Sequence, residues 1–151
     1  MNFITRGEKE TRLLGTRIGR LLRGLDVVCL IGDLGSGKTT FTQGLARGIG
    51  FPGLATSPTF VLAKVYQGRR LKIYHLDLYR VAEDLAGDVG IEEYVSDPMG
   101  VCVIEWPQSG ASYYPFDRLD IHFTRGRGEE ERKLSVKARG GRFKDLLRRL
   151  K

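Results

Sequence analysis

Cysteine is scarce in this chain: two residues in 151, Cys29 and Cys102, each inside an apolar run (VVCLI and VCVIEW). No CxxC and no Cys/His cluster is present, which argues against a structural zinc site. Two buried, reduced thiols fit a cytoplasmic protein instead. Long apolar runs are also missing. Nothing approaches the ~18 residues of a membrane-spanning helix. The start, MNFITRGEKETRLL, has no apolar segment followed by a small-residue cleavage site, so a secretory signal is not expected. Repeats, linkers and low-complexity blocks are lacking, and the length suits a single domain over residues 1–151 with a real core.

What is present is an ordinary globular balance, 41% apolar and 28% charged, with a net charge of +7. Much of the positive excess lies in the C-terminal third, from Arg125 and Arg127 through Arg132, Lys133, Lys137, Arg139, Arg142, Lys144, Arg148, Arg149 and Lys151. Such a balance permits phosphate-rich or nucleic-acid partners without demanding them. A solvated basic face, a direct RNA contact and an acidic protein partner all remain open.

Residues 8–23 place Leu13, Leu14, Ile18, Leu21 and Leu22 at helical spacing, with Gly24 as a stop. A short buried strand follows at 27–31, then a loop at 32–37 and a helix over 38–49 that ends at Gly50-Phe51-Pro52-Gly53. Residues 54–59 form a loop before a strand at 60–66, a hairpin turn at 67–70 and a strand at 71–77. Irregular or short-helical chain covers 78–98, and a buried strand spans 101–105. RLDIHFTR and RKLSVKA alternate and are joined by a Gly-Arg-Gly-Glu turn, giving a second hairpin; a basic helix over 141–150 ends the chain. The pattern implies an α/β fold with a mixed central sheet flanked by helices and carrying two β-hairpins.

Gly32-Asp33-Leu34-Gly35-Ser36-Gly37-Lys38-Thr39 matches G-x-x-x-x-G-K-[ST] and sits between an apolar strand and a helix. Glycines let the backbone wrap an anion and point successive N–H groups at it. The start of the following helix adds its dipole. Lys38 can reach β- and γ-phosphates, and the Thr39 hydroxyl can ligate Mg²⁺, while Thr40 extends the helix. A nucleoside triphosphate is the expected ligand. No NKxD-type stretch for guanine recognition occurs, which favours ATP.

Phosphoryl transfer also needs a carboxylate for the metal and a group to orient the attacking oxygen. Glu105 ends the apolar strand Val101–Ile104 in a Walker-B-like pattern, suited to Mg²⁺. Asp77 ends Ile73-Tyr74-His75-Leu76 and is the candidate for positioning water, with helix capping as its plainer role. Alternation puts Ile73, His75 and Asp77 on one face, so His75 is either catalytic or structural. Thr59, in Ser57-Pro58-Thr59, lies where a switch loop senses a γ-phosphate, or forms an ordinary turn. Arg80 either reaches phosphate or makes a surface ion pair. Trp106, the single tryptophan, packs on nucleotide, partner or core.

Taken together, GDLGSGKTTF, SPTF, HLDLYR, GIEEY and IEWPQ, in this order and spacing, resemble the TsaE (YjeE) family of bacterial P-loop ATPases needed to make threonylcarbamoyladenosine in tRNA. The likeness runs to about residue 110; the C-terminal hairpin is similar only in outline, and no residue is carried over from it. The resemblance implies ATP on residues 32–39, that is on Asp33, Leu34, Gly35, Ser36, Gly37, Lys38 and Thr39, with Thr40, Trp106 and more loosely Thr11 nearby. It implies Mg²⁺ on Thr39 and Glu105, and a need for Asp77 in turnover. The implied partners are TsaB and TsaD, with tRNA reached indirectly and the transfer itself performed by TsaD. Leu76 departs from the family, where an aromatic is common. A small-molecule or nucleoside kinase using Asp77 as base, and a non-hydrolysing ATP sensor that binds RNA, are the competing readings. The chain lacks an evident lid or acceptor pocket, which favours a partner-controlled ATPase that turns over slowly alone.

Overall fold

The computed structural model describes residues 1–58, 62–81 and 90–150. Seven strands form one sheet: β1 (Asn2–Thr5), β2 (Val27–Ile31), β3 (Ala63–Gln67), β4 (Lys72–Asp77), β5 (Gly100–Glu105), β6 (Arg118–Arg125) and β7 (Arg132–Arg139). Their order is β1-β7-β6-β2-β5-β4-β3. The four central strands β6, β2, β5 and β4 are parallel, and antiparallel pairs (β7 on β6, β1 on β7, β3 on β4) complete the sheet. The expected mixed sheet and both hairpins are present.

Strand alternation divides the core. Val28 and Leu30 of β2, with Val101 and Val103 of β5, pack with Leu14, Ile18, Phe41, Leu45, Phe143 and Leu146. These come from α1 (Glu8–Gly19), α2 (Lys38–Gly48) and α4 (Gly141–Leu150). The intervening Val27, Cys29, Cys102 and Ile104 face the other way, toward Ile91 of the short α3 (Ile91–Val95) and Tyr114. Burial pushes both thiols up to about 12.

The contact between α1 and α2 is made of backbone. A Cβ at Gly19 would lie 2.5 Å from the Leu45 carbonyl, and one at Gly48 2.6 Å from that of Thr16. Those at Gly15 and Gly44 would strike the carbonyls of Phe41 and Arg12. Gly15 meets Gly44 and Gly19 meets Gly48, so the helices run parallel and start at the same end of the sheet.

The structure differs from expectation in several places. β1, unforeseen, pairs with β7 at the sheet edge. The first helix stops at Gly19 rather than 23, because the Arg23 N–H bonds to the Asp26 carboxylate and the Leu25 N–H to the Gly100 carbonyl, turning the chain into β2. β3 begins at Ala63 in place of 60; residues 60 and 61 lie outside the described residues. Arg142 of α4 clamps this corner, donating to Asp26 at 2.6 Å and to the Leu21 carbonyl at 2.8 Å. Burial raises the Asp26 carboxyl and Arg142 opposes that shift.

Alanine normally improves a helix over glycine by about 1 kcal/mol. At Gly44 the methyl runs into backbone, so Gly44→Ala should instead lose about 2 kcal/mol. Chemical denaturation measures this; a more stable variant would show that the two helices separate without cost.

Candidate functional site

The strands β2, β5 and β4 end side by side, and register puts Leu30 beside Glu105 and Glu105 beside Asp77. Parallel sheets place ligands beyond such carboxyl ends. A cleft of about 810 Å³ lies there. Its walls include Leu34, Gly35, Gly37, Lys38, Thr39 and Thr40 from the phosphate loop, and Asp77, Arg80, Glu105 and Trp106 from the neighbouring strand ends. Thr11 of α1 lines it as well, so the loosely matched residue is in place. Because α1 and α2 run parallel, both N-termini face this cleft, and both dipoles favour an anion in it.

The loop is shaped by its glycines. Gly35 (φ 74°) and Gly37 (φ 103°) occupy the left-handed region. A Cβ on Gly35 would meet nothing within 4 Å, so the left-handed backbone rather than crowding is what calls for glycine there. Lys38 is buried and donates to the carbonyls of Gly32 (2.7 Å) and Asp33 (2.9 Å). Burial lowers the ammonium pKa, and Glu105, Asp77 and Asp33 pull it back up. Its Nζ also lies 5.1 Å from the Trp106 ring centre, within cation–π range. Ser36 is buried but does not line the cleft; among the described residues its Oγ is the buried side-chain polar atom lacking a hydrogen-bond partner.

Trp106 adopts φ 55° and ψ 55°, a conformation that bulky residues rarely hold. The turn swings its indole over Lys38 and against Tyr79, with ring centres 4.8 Å apart. Asp77 is half-buried, and its Oδ1 accepts the Tyr79 N–H at 2.9 Å, a turn contact that leaves Oδ2 as its second oxygen; a helix to be capped would fall on residues 82–89, outside the described residues.

His75 shares the face of Asp77, as alternation requires, but is fully buried and does not line the cleft. Its Nε2 lies 2.8 Å from Glu105 Oε1 and its Nδ1 3.2 Å from the Tyr66 hydroxyl. It therefore sits behind Glu105. Thr59 lies outside the described residues, whereas Ser57 beside it lines the cleft.

The sequence reading missed a whole wall. Gly7, Glu8, Glu129, Glu130 and Arg132 also border the cleft. The β6–β7 turn reaches the start of α1, with Glu130 Oε2 3.6 Å from where a Gly7 Cβ would be, and the Arg132 stem lies against Gly37. No local pattern in the hairpin signals this.

Comparison with known proteins gives the family and agrees with the fold. The model of the family described as threonylcarbamoyl adenosine biosynthesis protein TsaE matches residues 5–134. The tRNA threonylcarbamoyladenosine biosynthesis protein TsaE of Bacillus subtilis is 38% identical over 150 residues, covering 99% of this chain and 93% of that one. Its Treponema pallidum namesake is 48% identical over 117 residues, 76% of this chain and 84% of the relative. A crystal structure of Bacillus subtilis YdiB superposes with a TM-score of 0.82 at 34% identity, over 99% of this chain and 93% of that one. With the family model matched over residues 5–134 and a relative 38% identical across 99% of this chain, the protein belongs to the TsaE family of threonylcarbamoyladenosine biosynthesis proteins.

Proposed function

We propose that this chain is a Mg²⁺-dependent ATPase subunit required for threonylcarbamoyladenosine modification of tRNA. In this reading it acts on a TsaB–TsaD-type complex, touches tRNA only indirectly, and does not perform the transfer itself. The observation that carries the ATPase reading is the register of three strand ends: phosphate loop after β2, Glu105 on β5 and Asp77 on β4, all opening into one cleft.

The donor set suits ATP with Mg²⁺. Open glycine backbone, two helix N-termini and a buried lysine fit a phosphate chain. Among the described residues no group of three His, Cys, Asp or Glu side chains converges, so a cage built wholly of protein ligands is not offered. Mg²⁺ commonly takes one or two protein oxygens plus substrate phosphates, a role for Thr39 and Glu105. When bound it supplies charge neutralisation on the phosphate oxygens. The chain's own groups do the rest. The loop N–H groups hold the phosphates, Lys38 exchanges the Gly32 and Asp33 carbonyls for phosphate oxygens, and Asp77 orients water through its second oxygen. Arg80, exposed at the cleft rim, can meet the same charge. Trp106 and Tyr79 form an aromatic wall beside it.

Nucleotide titration followed by Trp106 fluorescence tests the site, since the indole lines the cleft beside Lys38. Lys38→Ala should lose the response, with affinity reduced at least ~100-fold, two or more charge-assisted hydrogen bonds. Asp77→Ala should bind normally and lose at least ~100-fold in turnover. Free phosphate should be the product, and its release should rise when TsaB and TsaD are added. A phosphorylated small molecule would mean a kinase, and normal turnover by Asp77→Ala would remove Asp77 from the mechanism.

Ser36 offers a separate test. Ser36→Ala deletes an unpaired buried hydroxyl, so the ligand-free protein should gain about 1 kcal/mol in denaturant unfolding. A loss of stability would mean that Oγ has a partner in solution.

A further inference from the structure

We propose that Tyr66 and His75 are positioning residues that tie together two walls of the cleft, so that a cation held at Glu105 sets the position of the 54–58 loop. The link is a continuous chain of hydrogen bonds, buried at His75 and part-buried at Thr56, from the Glu105 carboxylate through the His75 ring and the Tyr66 hydroxyl to the backbone of Thr56. Its cleft end rests on the reading of Glu105 as an Mg²⁺ ligand; the chain of bonds does not.

The Tyr66 hydroxyl has no freedom left. It donates to the Thr56 carbonyl at 2.5 Å and accepts the Thr56 N–H at 3.2 Å. Its remaining lone pair faces His75 Nδ1 at 3.2 Å. A phenol offers one donor and two acceptor positions, so all are filled, and the two His75 ring nitrogens meet Tyr66 and Glu105 in donor and acceptor roles set by the tautomer. That fixes the ring and aims Nε2 at Glu105 Oε1, 2.8 Å away. Both ring nitrogens are committed, and the ring is 0% exposed, so water cannot stand in for either contact.

Each end of this chain borders the cleft. Glu105 lines it directly, and Ser57, next to Thr56, lines it from the loop. The loop is tied a second time where Gln43 Nε2 of α2 donates to the Ala55 carbonyl at 3.1 Å. A shift of Glu105 is therefore passed through the buried His75 ring to Tyr66 and on to the backbone of Thr56 at the surface. Partners that orient a ligating carboxylate typically change metal affinity by 10–100-fold.

The distinguishing experiment reads each end after cutting at the other. Tyr66→Phe removes one oxygen and keeps the ring that packs on Phe51. Nucleotide binding without Mg²⁺, followed by Trp106 fluorescence, should stay within about twofold, while the Mg²⁺ concentration at half-saturation rises about tenfold. His75→Phe leaves Tyr66 and Thr56 intact, yet the Thr56 amide should exchange with solvent about tenfold faster, the loss of roughly one hydrogen bond. His75→Gln serves if the phenylalanine variant does not fold. An unchanged Mg²⁺ requirement in Tyr66→Phe, or unchanged Thr56 exchange in either His75 variant, overturns the proposal. If the unsubstituted protein shows no Mg²⁺ dependence at all, the metal reading of Glu105 fails, and the exchange measurement alone decides the link.

Discussion

The close approach of two glycine-faced helices governs the geometry of this protein. Side chains between packed helices usually hold their axes 8–10 Å apart. Here carbonyls of one helix occupy the space where the other would carry a Cβ. Because α1 lies so near α2, its first turn reaches the phosphate loop, and Thr11 enters the cleft. β1 leads into α1 and pairs with β7, whose first residue, Arg132, lies against Gly37. Sheet edge, helix pair and cleft wall are thus mechanically one unit. A separation of α1 from α2 would also move the wall formed by Gly7, Glu8 and the β6–β7 turn.

Charge is used in two ways. The basic C-terminal third is partly consumed inside the molecule: Arg139 and Arg118 hold Asp120, Arg142 holds Asp26, and Arg132 bonds to the carbonyls of Glu129 and Glu131. Removing Arg142 would strip the buried Asp26 carboxylate of the arginine paired with it, a far larger loss than that of a surface charge, whereas Asp120 would keep one of its two arginines. Lys133 and Lys137, by contrast, alternate outward on β7 while Leu134 and Val136 face in. The surplus that remains for a partner is therefore smaller than composition alone suggests.

What could be read from the sequence was local. The phosphate loop follows its strand within a few residues, and β2, β5 and the terminal helix 141–150 announce themselves by apolar runs or helical spacing. Strand alternation correctly put His75 and Asp77 on one face. It could not say that His75 ends 2.8 Å behind Glu105, thirty positions away. β1 was hidden because its pairing depends on a strand at the far end of the chain. The cleft residues of the β6–β7 turn were hidden for the same reason. Gly15, Gly19, Gly44 and Gly48 carry no local signal inside their helices; their role exists only once the two helices touch. Tyr66 lies in a strand with nothing local to mark it, and its hydroxyl gains meaning only from Thr56 and His75.

The two cysteines, on adjacent central strands, give the molecule a built-in clock. Cys29 and Cys102 are each 1% exposed, and burial suppresses the thiolate needed for alkylation. They lie on β2 and β5, in the middle of the sheet, so opening of an edge strand or the cleft loops leaves them sealed. Their rate of modification therefore counts the excursions that uncover this face, by loss of α3 and the Tyr114 segment or by opening of the central sheet. Any ligand or partner that grips the folded form slows that clock, whatever it does to the loops around the cleft.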